Sequence, residues 1–182
     1  THALVHDIED LLLRRRPLMP ASEQARLAKL QELAVFDTPP DAVLDAIVAA
    51  ASAMASAPIA LVSLIDADRQ WFKARVGLDA TETPRDVAFC AHAIHQSEIF
   101  EVPDSRQDVR FANNPLVQGA PNVVFYAGMP LTTSDGHAVG TLCVIDHVPR
   151  HLNEAQRESL AHLGRAVTLL LERGARPSLP LR

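Results

Sequence analysis

The chain has 182 residues, of which 48% are hydrophobic and 21% charged, and its formal net charge is −5. This composition excludes a disordered chain, and the negative charge disfavours a nucleic-acid-binding protein, which usually has a basic surface. No apolar run reaches the ~20 residues that span a bilayer, and two cysteines do not make a disulfide framework in a chain of this length. We therefore expect a cytoplasmic protein with reduced thiols, no signal peptide and no membrane association.

The first third of the chain predicts helices. Apolar residues at helical spacing predict an amphipathic helix over residues 3–16. A second helix is expected to begin at Ser22 as its N-cap and to reach about Phe36. Thr38 is the expected cap of a third helix, with proline tolerated in its first turn, that runs to about Ala55. After these helices the apolar residues no longer recur at helical spacing and form short continuous runs instead.

Short apolar runs rich in branched residues then predict strands. The predicted strands cover residues 58–66, 69–77, 99–102, 123–133 and 137–146, with short helices expected at 88–96 and around 109–113. The Asp135-Gly136 pair predicts a tight hairpin between the last two strands. Asn153 is expected to cap a final helix that ends near Gly174.

This order of elements predicts an α+β fold. Hairpin-linked strands indicate a central antiparallel sheet of five or six strands, and the helices must bury their apolar stripes against one face of it. The loops of the middle of the chain then cover the other face and leave a pocket between sheet and loops. We expect residues 1–22 to be a helical extension, residues 23–174 the domain, and residues 175–182 a tail.

Seven phrases in the same order and spacing resemble the GAF domain family, in particular the sensor domains at the front of bacterial histidine kinases and diguanylate cyclases. They are LQELAVFDTPP (30–40), PIALVSLID (58–66), RQWFKARVGL (69–78), PRDVAFCAHAI (84–94), VPDSRQDVRFANNPLV (102–117), VFYAGMPL (124–131) and GTLCVID (140–146). The resemblance covers about residues 23–172. It implies a sheet with helices on one face, a pocket on the other and pairing through terminal helices, and it identifies no ligand.

Strand alternation suggests which side chains face the pocket. In GTLCVID, Thr141 and Cys143 are small enough for a pocket floor, whereas Leu142 and Val144 suit the helix-packed face. The covering loops contribute most of the few aromatic residues, and pockets are mostly apolar with a few polar groups. The pocket candidates are Ser63, Trp71, Phe89, Cys90, His92, Phe111, Asn114, Phe125, Tyr126, Thr141 and Cys143. The alternative is that these side chains fill the space and leave no room for a ligand.

Metal and redox chemistry both centre on Cys90. On a regular helix Cys90 and His92 lie about 200° apart, so they do not converge on one ion, and we expect neither a metal nor a resident cofactor. A nucleophilic Cys90 with Cys143 as its partner would resemble the free methionine sulfoxide reductases of this fold. The reductase motif, which has more cysteines in the covering loops, is not matched, and burial should raise the pKa of Cys143.

The sequence therefore predicts a non-catalytic sensory or regulatory module. It would bind an unidentified small molecule, form a homodimer through its terminal helices and act on a downstream signalling protein. Two alternatives stay open: a thiol-based redox enzyme or redox sensor that uses Cys90, and a ligand-free dimerisation module.

Overall fold

The computed structural model describes residues 22–174, and both the predicted helix over residues 3–16 and the tail at 175–182 lie outside them. The strands are β1 Ile59–Ile65, β2 Arg69–Val76, β3 Glu82–Pro84, β4 Phe100–Val102, β5 Phe125–Thr132 and β6 Ala138–Asp146. They form one six-stranded sheet in the order β3-β2-β1-β6-β5-β4, and every neighbouring pair is antiparallel. The predicted α+β fold with a central antiparallel sheet is confirmed, and β3 is an edge strand that the sequence did not reveal.

Long helices cover only one side of this sheet. The helices are α1 Glu23–Leu33, α2 Ala42–Ala55, α3 Cys90–Ala93, α4 Pro115–Gln118 and α5 Glu154–Gly174. We call the side that packs against α1, α2 and α5 the helix face, and the opposite side, covered by the connections between β2 and β5, the loop face. Between residues 22 and 174, none of the helices has the length and apolar character needed to cross a membrane.

The helix ends follow local hydrogen bonding. Asp41, and not Thr38 as predicted, caps α2, because its carboxylate accepts from two first-turn N–H groups. Asn153 caps α5 as predicted, because its Oδ1 accepts from the backbone N–H of Gln156. In return, Gln156 Oε1 accepts from the backbone N–H of Asn153. Ser22 stands at the N-cap of α1 without a side-chain capping bond.

The sheet separates two hydrophobic clusters. The strand residues on the helix face include Ala60, Val62, Leu64, Leu142 and Val144. Those on the loop face include Ile59, Leu61, Ile65, Cys143 and Ile145. Every residue of β1 is buried, which explains why its sequence is apolar except at Ser63 and does not alternate. In β6 the faces are those predicted from alternation.

A β-bulge interrupts the alternation in β2. Phe72 lies opposite Ser63 and Ala74 lies opposite Val62, so Lys73 has no partner of its own in β1. As a result Phe72 belongs to the loop face and Ala74 to the helix face, although they are two residues apart. The bulge therefore decides which side chains of β2 can reach the loop face.

Short pieces of backbone cover the loop face. The helix predicted over residues 88–96 is the single turn α3, and residues 109–113 form a turn where a helix was predicted. The helix forms instead as α4, because Asn114 caps it from the preceding position and Pro115 has the backbone geometry that suits a first helical residue. Since no long helix lies on this face, side chains from several connections must cover it.

Candidate functional site

A cavity of about 150 Å³ lies on the loop face of the sheet. Its floor is formed by strand residues, namely Leu61, Phe72, Tyr126 and Ile145. Its cover is formed by the connections between β2 and β5, from which Leu78, Phe89, Leu116 and Val123 line the cavity. The cavity therefore occupies the position predicted for a pocket, between sheet and loops.

The lining is almost entirely apolar. Gln70 is held by its neighbours, because its Nε2 donates to Thr83 Oγ1 at 2.9 Å and its Oε1 accepts from Ser63 Oγ at 2.7 Å. The other polar residues of the lining are Thr83, Cys90 and Tyr126, and none of the described residues that line the cavity is acidic, basic or a histidine. Because an unpaired buried charge is very costly, this cavity suits an uncharged and largely apolar molecule.

A cluster of thiols and hydroxyls lies beside the cavity, and two of its members, Cys90 and Tyr126, line it. The Sγ atoms of Cys90 and Cys143 are 3.9 Å apart. Tyr126 Oη and Thr141 Oγ1 both donate to Cys90 Sγ, at 3.1 and 3.0 Å. Tyr126 reaches this position because Gly128 leaves space for it: a Cβ at Gly128 would lie 2.2 Å from the tyrosine oxygen. All the side chains of this cluster are buried.

The two thiols of this cluster differ in their acidity. Burial opposes ionisation of Cys90, but hydrogen bonds from Cys143, Thr141 and Tyr126 outweigh it and lower the pKa of Cys90 below its ordinary value. Burial raises the pKa of Cys143, as predicted. Burial and the neighbouring Cys90 also raise the pKa of Tyr126, which therefore keeps its proton and remains a donor.

Stacked aromatic rings hold the cover in place. Phe89 stacks on Phe111 with ring centroids 4.1 Å apart, and Phe89 also contacts Tyr126 at 5.3 Å. The guanidinium of Arg110 lies over Phe111 and is paired with Asp108 at 2.6 Å. The Asp108–Arg110 pair, like the Asp104–Arg106 pair, braces the loop.

His92 belongs to this aromatic layer. Its ring meets Phe111 edge-on at 4.8 Å and lies parallel to Phe100 at 6.4 Å. Burial lowers the pKa of His92 to about 4, and the positive charge of Arg110 adds to the effect. The imidazole is therefore neutral at physiological pH.

Nine of the eleven predicted pocket residues lie in or around the cavity, in three groups. Phe89, Cys90 and Tyr126 line the cavity. Five others surround it without lining it: Ser63, Thr141 and Cys143 lie beside Cys90 or Gln70 in the sheet, and His92 and Phe111 belong to the cover. Asn114 ties two parts of the cover together, because it caps α4 and donates to the carbonyl of Val87 at 2.9 Å.

Trp71 and Phe125 were wrongly assigned to the pocket. Trp71 pairs with Leu64 in the sheet, so its side chain points to the helix face, where it packs against Phe36 with centroids 5.7 Å apart. Phe125 also lies on the helix face, under the guanidinium of Arg150. Proximity to the covering loops in sequence was a poor guide, because adjacent strand residues point to opposite faces.

Several lining residues were missed by the sequence argument. Gln70 and Phe72 could be placed on the loop face only with the bulge at Lys73 known, and no local signal marks that bulge. Leu78, Thr83 and Leu116 reach the cavity through tertiary folding of the connections. Ile145 could have been found, since it shares a face with Cys143 by simple alternation.

A six-stranded antiparallel sheet, backed by helices and covered by loops that enclose a cavity, defines a class of small α+β domains. The chain belongs to the GAF domain family, whose model matches residues 39–171.

The chain is also similar to individual known proteins. It is 45% identical over 152 residues to a cyclic di-GMP phosphodiesterase of Pseudomonas aeruginosa, a match that covers 83% of this chain and 26% of that protein. The chain thus spans about a quarter of the length of this relative. The GAF domain of an Acinetobacter phosphoenolpyruvate-protein phosphotransferase matches with a TM-score of 0.62 and 18% identity over 85% of this chain and 95% of that one. A type II free methionine-R-sulfoxide reductase from Thermoplasma acidophilum matches with a TM-score of 0.59 and 12% identity over 72% and 91%.

Proposed function

We propose that this chain is a sensory GAF domain that binds a small uncharged molecule in the cavity of the loop face and passes the signal to its terminal helices. The observation that carries the proposal is the apolar cavity between sheet and loops, together with the connection of its cover to α1. GAF domains are commonly regulatory, and the relative from Pseudomonas aeruginosa carries a matching segment within a much longer cyclic di-GMP phosphodiesterase.

The size and lining of the cavity limit the ligand. A cavity of about 150 Å³ is comparable to engineered apolar cavities that hold a single benzene molecule. A cyclic dinucleotide is several times larger and carries two phosphates, for which the described lining offers no cation. We therefore propose a neutral ligand of about ten non-hydrogen atoms or fewer, and we do not place cyclic di-GMP in this cavity.

A direct route leads from the cover to a terminal helix. Arg85 starts the connection that leads to Phe89 and Cys90 of the lining, and its Nη1 donates to Glu23 in the first turn of α1 and to the carbonyl of Asp66. A ligand that shifts the cover would therefore change the contacts of α1, which is how binding could favour one of two helix arrangements.

We further propose that residues 23–174 form the domain and that it pairs through its terminal helices. Leu169 supports this, because it is 62% exposed on the outer side of α5. The downstream partner would be an enzyme of cyclic di-GMP turnover, as the 45% identical relative suggests. We also propose a cytoplasmic location, because two cysteines in 182 residues do not make the disulfide framework of a secreted protein.

The experiment compares two tryptophan substitutions with indole as the probe. Ala80 is exposed at the edge of the cavity, so Ala80→Trp should obstruct it with little effect on folding. Ala53→Trp makes the same change on an exposed position of α2, on the other side of the sheet. We expect indole to raise the Tm of the unmodified chain and of Ala53→Trp but not that of Ala80→Trp. Equal stabilisation of all three proteins, or of none, would contradict the proposal.

The geometry argues against reduction of free methionine sulfoxide and against a ligand-free module. A free methionine sulfoxide is a zwitterion, and the described lining has no charged side chain that could bind its ammonium or carboxylate group. The ligand-free alternative requires a space filled by side chains, whereas a cavity remains. We therefore propose a binding function without catalysis, and turnover of free methionine sulfoxide by the purified chain would contradict it.

A further inference from the structure

The Cys90–Cys143 pair has features that ligand binding does not require. The two sulfur atoms are 3.9 Å apart although the residues are 53 positions apart in sequence. Cys90 lies on α3 in the cover, and Cys143 lies in the middle of β6 in the sheet. A covalent bond between them would therefore join the cover of the cavity to its floor.

The hydrogen bonds make the two thiols unequal. Tyr126 and Thr141 both direct a hydroxyl at Cys90 Sγ, at 3.1 and 3.0 Å. Hydroxyl donors stabilise a thiolate, which is the reactive form of cysteine. Cys90 is thus prepared to act as the nucleophile, and Cys143 remains a protonated thiol beside it.

Access to the pair is one-sided. Cys90 lines the cavity, whereas Cys143 is fully buried and does not line it. A small uncharged oxidant that enters the cavity would meet the sulfur of Cys90 first. Hydrogen peroxide and small organic hydroperoxides have this size and lack of charge.

We propose that Cys90 and Cys143 form a hydroperoxide-responsive dithiol switch that closes the cavity when it is oxidised. In the first step the Cys90 thiolate attacks one oxygen of the hydroperoxide, the O–O bond breaks, and the other oxygen leaves as an alcohol or water after taking up a proton. Cys90 becomes a sulfenic acid. In the second step the Cys143 sulfur attacks the Cys90 sulfur, the S–S bond forms, and hydroxide leaves with the Cys143 proton as water. The two thiols lose two electrons in all, and the hydroperoxide gains them.

The disulfide would change the cavity. An S–S bond is about 2.05 Å long, so the sulfur atoms must approach by almost 2 Å from their present 3.9 Å. The turn of α3 then moves toward β6. Cys90 is no longer a thiolate, so it loses its role as the acceptor of the hydrogen bond from the Tyr126 hydroxyl. Oxidation and ligand binding should therefore exclude each other. Only this competition between oxidation and ligand binding rests on the proposed function. The oxidation of the two thiols does not require the ligand.

Intact-mass analysis of the full chain after hydrogen peroxide treatment tests the proposal. We expect a loss of two hydrogen atoms, a peptide that links Cys90 to Cys143, and full reversal by dithiothreitol. Cys143→Ser should stop at the sulfenic acid, which dimedone labels on Cys90, and Cys90→Ser should leave Cys143 unmodified. Tyr126→Phe should slow the oxidation of Cys90 about three- to tenfold through the loss of one donor.

Two results would overturn the proposal. One is a chain that stays folded and unmodified at peroxide concentrations that oxidise free cysteine. The other is accumulation of sulfinic acid on Cys90 of the unmodified chain without the linked peptide. Indole binding by the reduced protein is measured in parallel, so an inert pair in a chain that still binds indole refutes the switch and leaves the proposed function intact.

Discussion

Arg85 Nη1 lies 2.5 Å from Glu23 Oε1, which joins the start of the cover to the first turn of α1. Arg26 binds the same carboxylate from the other side, through its Nε and Nη2. Both arginines are buried, with 2% of Arg26 and 4% of Arg85 exposed, and Arg85 Nη2 is buried without a hydrogen-bond partner among residues 22–174. One carboxylate therefore compensates two buried cations.

Removal of this carboxylate should be costly. Glu23→Ala would leave two buried guanidinium groups without their counter-ion, and we expect the free energy of unfolding to fall by about 3 kcal/mol. Burial alone would raise the pKa of Glu23, but the hydrogen bonds from Arg26 and Arg85 lower it to about 2, which is consistent with a strongly stabilised carboxylate. Urea unfolding followed by circular dichroism measures the change.

Glu32→Ala is the matched control for this prediction. Glu32 lies on the same helix, pairs with Lys29 and has 69% of its side chain exposed. Loss of the Glu32 carboxylate should leave the unfolding midpoint unchanged within error, because exposed ion pairs contribute little to the free energy of unfolding. Equal effects of the two substitutions would show that the buried cluster of Glu23, Arg26 and Arg85 does not stabilise the folded state.

The stability of the domain should fall in mild acid because of His92. The unfolded chain binds a proton on His92 as the pH drops below its ordinary pKa of about 6.5, whereas the folded chain resists protonation down to about pH 4. The unfolded state therefore holds more protons in this window, and the free energy of unfolding decreases as the pH falls through it. We expect a loss of about 2 kcal/mol, less than the full shift implies because the ring is only partly buried.

Denaturant unfolding at several pH values between 4 and 7 tests this dependence. His92→Gln stays neutral throughout, so its curve should lack this loss. His162→Gln changes an exposed histidine of α5 and should keep the pH dependence of the unmodified chain. If all three curves are parallel, His92 does not control stability in this range.

Gly128 should be intolerant of a side chain. A Cβ there would lie 2.2 Å from the Tyr126 oxygen and 2.8 Å from its Cζ, so Gly128→Ala must displace the tyrosine and its bond to Cys90. We expect a loss of about 1–3 kcal/mol from overpacking. The Cys90 thiol should also become less acidic, which thiol titration at increasing pH would detect as a higher apparent pKa.

Gly119→Ala provides the comparison for Gly128. A Cβ at Gly119 would meet only the Pro115 oxygen at 3.6 Å, an ordinary contact. This variant should keep the Cys90 titration of the unmodified chain. A Gly128→Ala protein with an unchanged titration would mean that the tyrosine hydroxyl does not influence Cys90.

The proposed dimer depends on the outer side of α5. Leu169→Glu would introduce a charge at a position that is 62% exposed in one copy of the chain, and we expect it to weaken dimerisation at least about tenfold if this side is the contact. Val109 is 87% exposed in the cover, so Val109→Glu should leave dimerisation unchanged. Sedimentation equilibrium of the three proteins gives the dissociation constants, and identical values would place the contact elsewhere.

The sequence predicted the sheet better than the cavity. The faces of β6 follow from alternation, because a regular strand fixes the direction of each side chain. Trp71 and Phe72 could not be assigned in the same way, since the bulge at Lys73 changes the parity of β2. The cover was hardest, because Leu78 and Leu116 come together through loops whose path no local pattern determines.

Capping chemistry shows a similar contrast. The reciprocal bonds of Asn153 and Gln156 could be anticipated because both partners lie within one turn. The shared carboxylate of Glu23 could not, since Arg85 is 62 positions away in sequence. Local interactions are readable from the chain, and the contacts that couple the cover to α1 are not.

The separation of the two hydrophobic clusters by the sheet has a consequence for how such a domain can diverge. The residues of the helix-face cluster and those of the loop-face cluster are different sets, although they sit on the same strands. Substitutions at Leu61, Phe72 or Ile145 can therefore reshape the chemical preference of the cavity while the packing of α2 and α5 persists. A scaffold arranged in this way can acquire a new specificity without first losing its ability to fold.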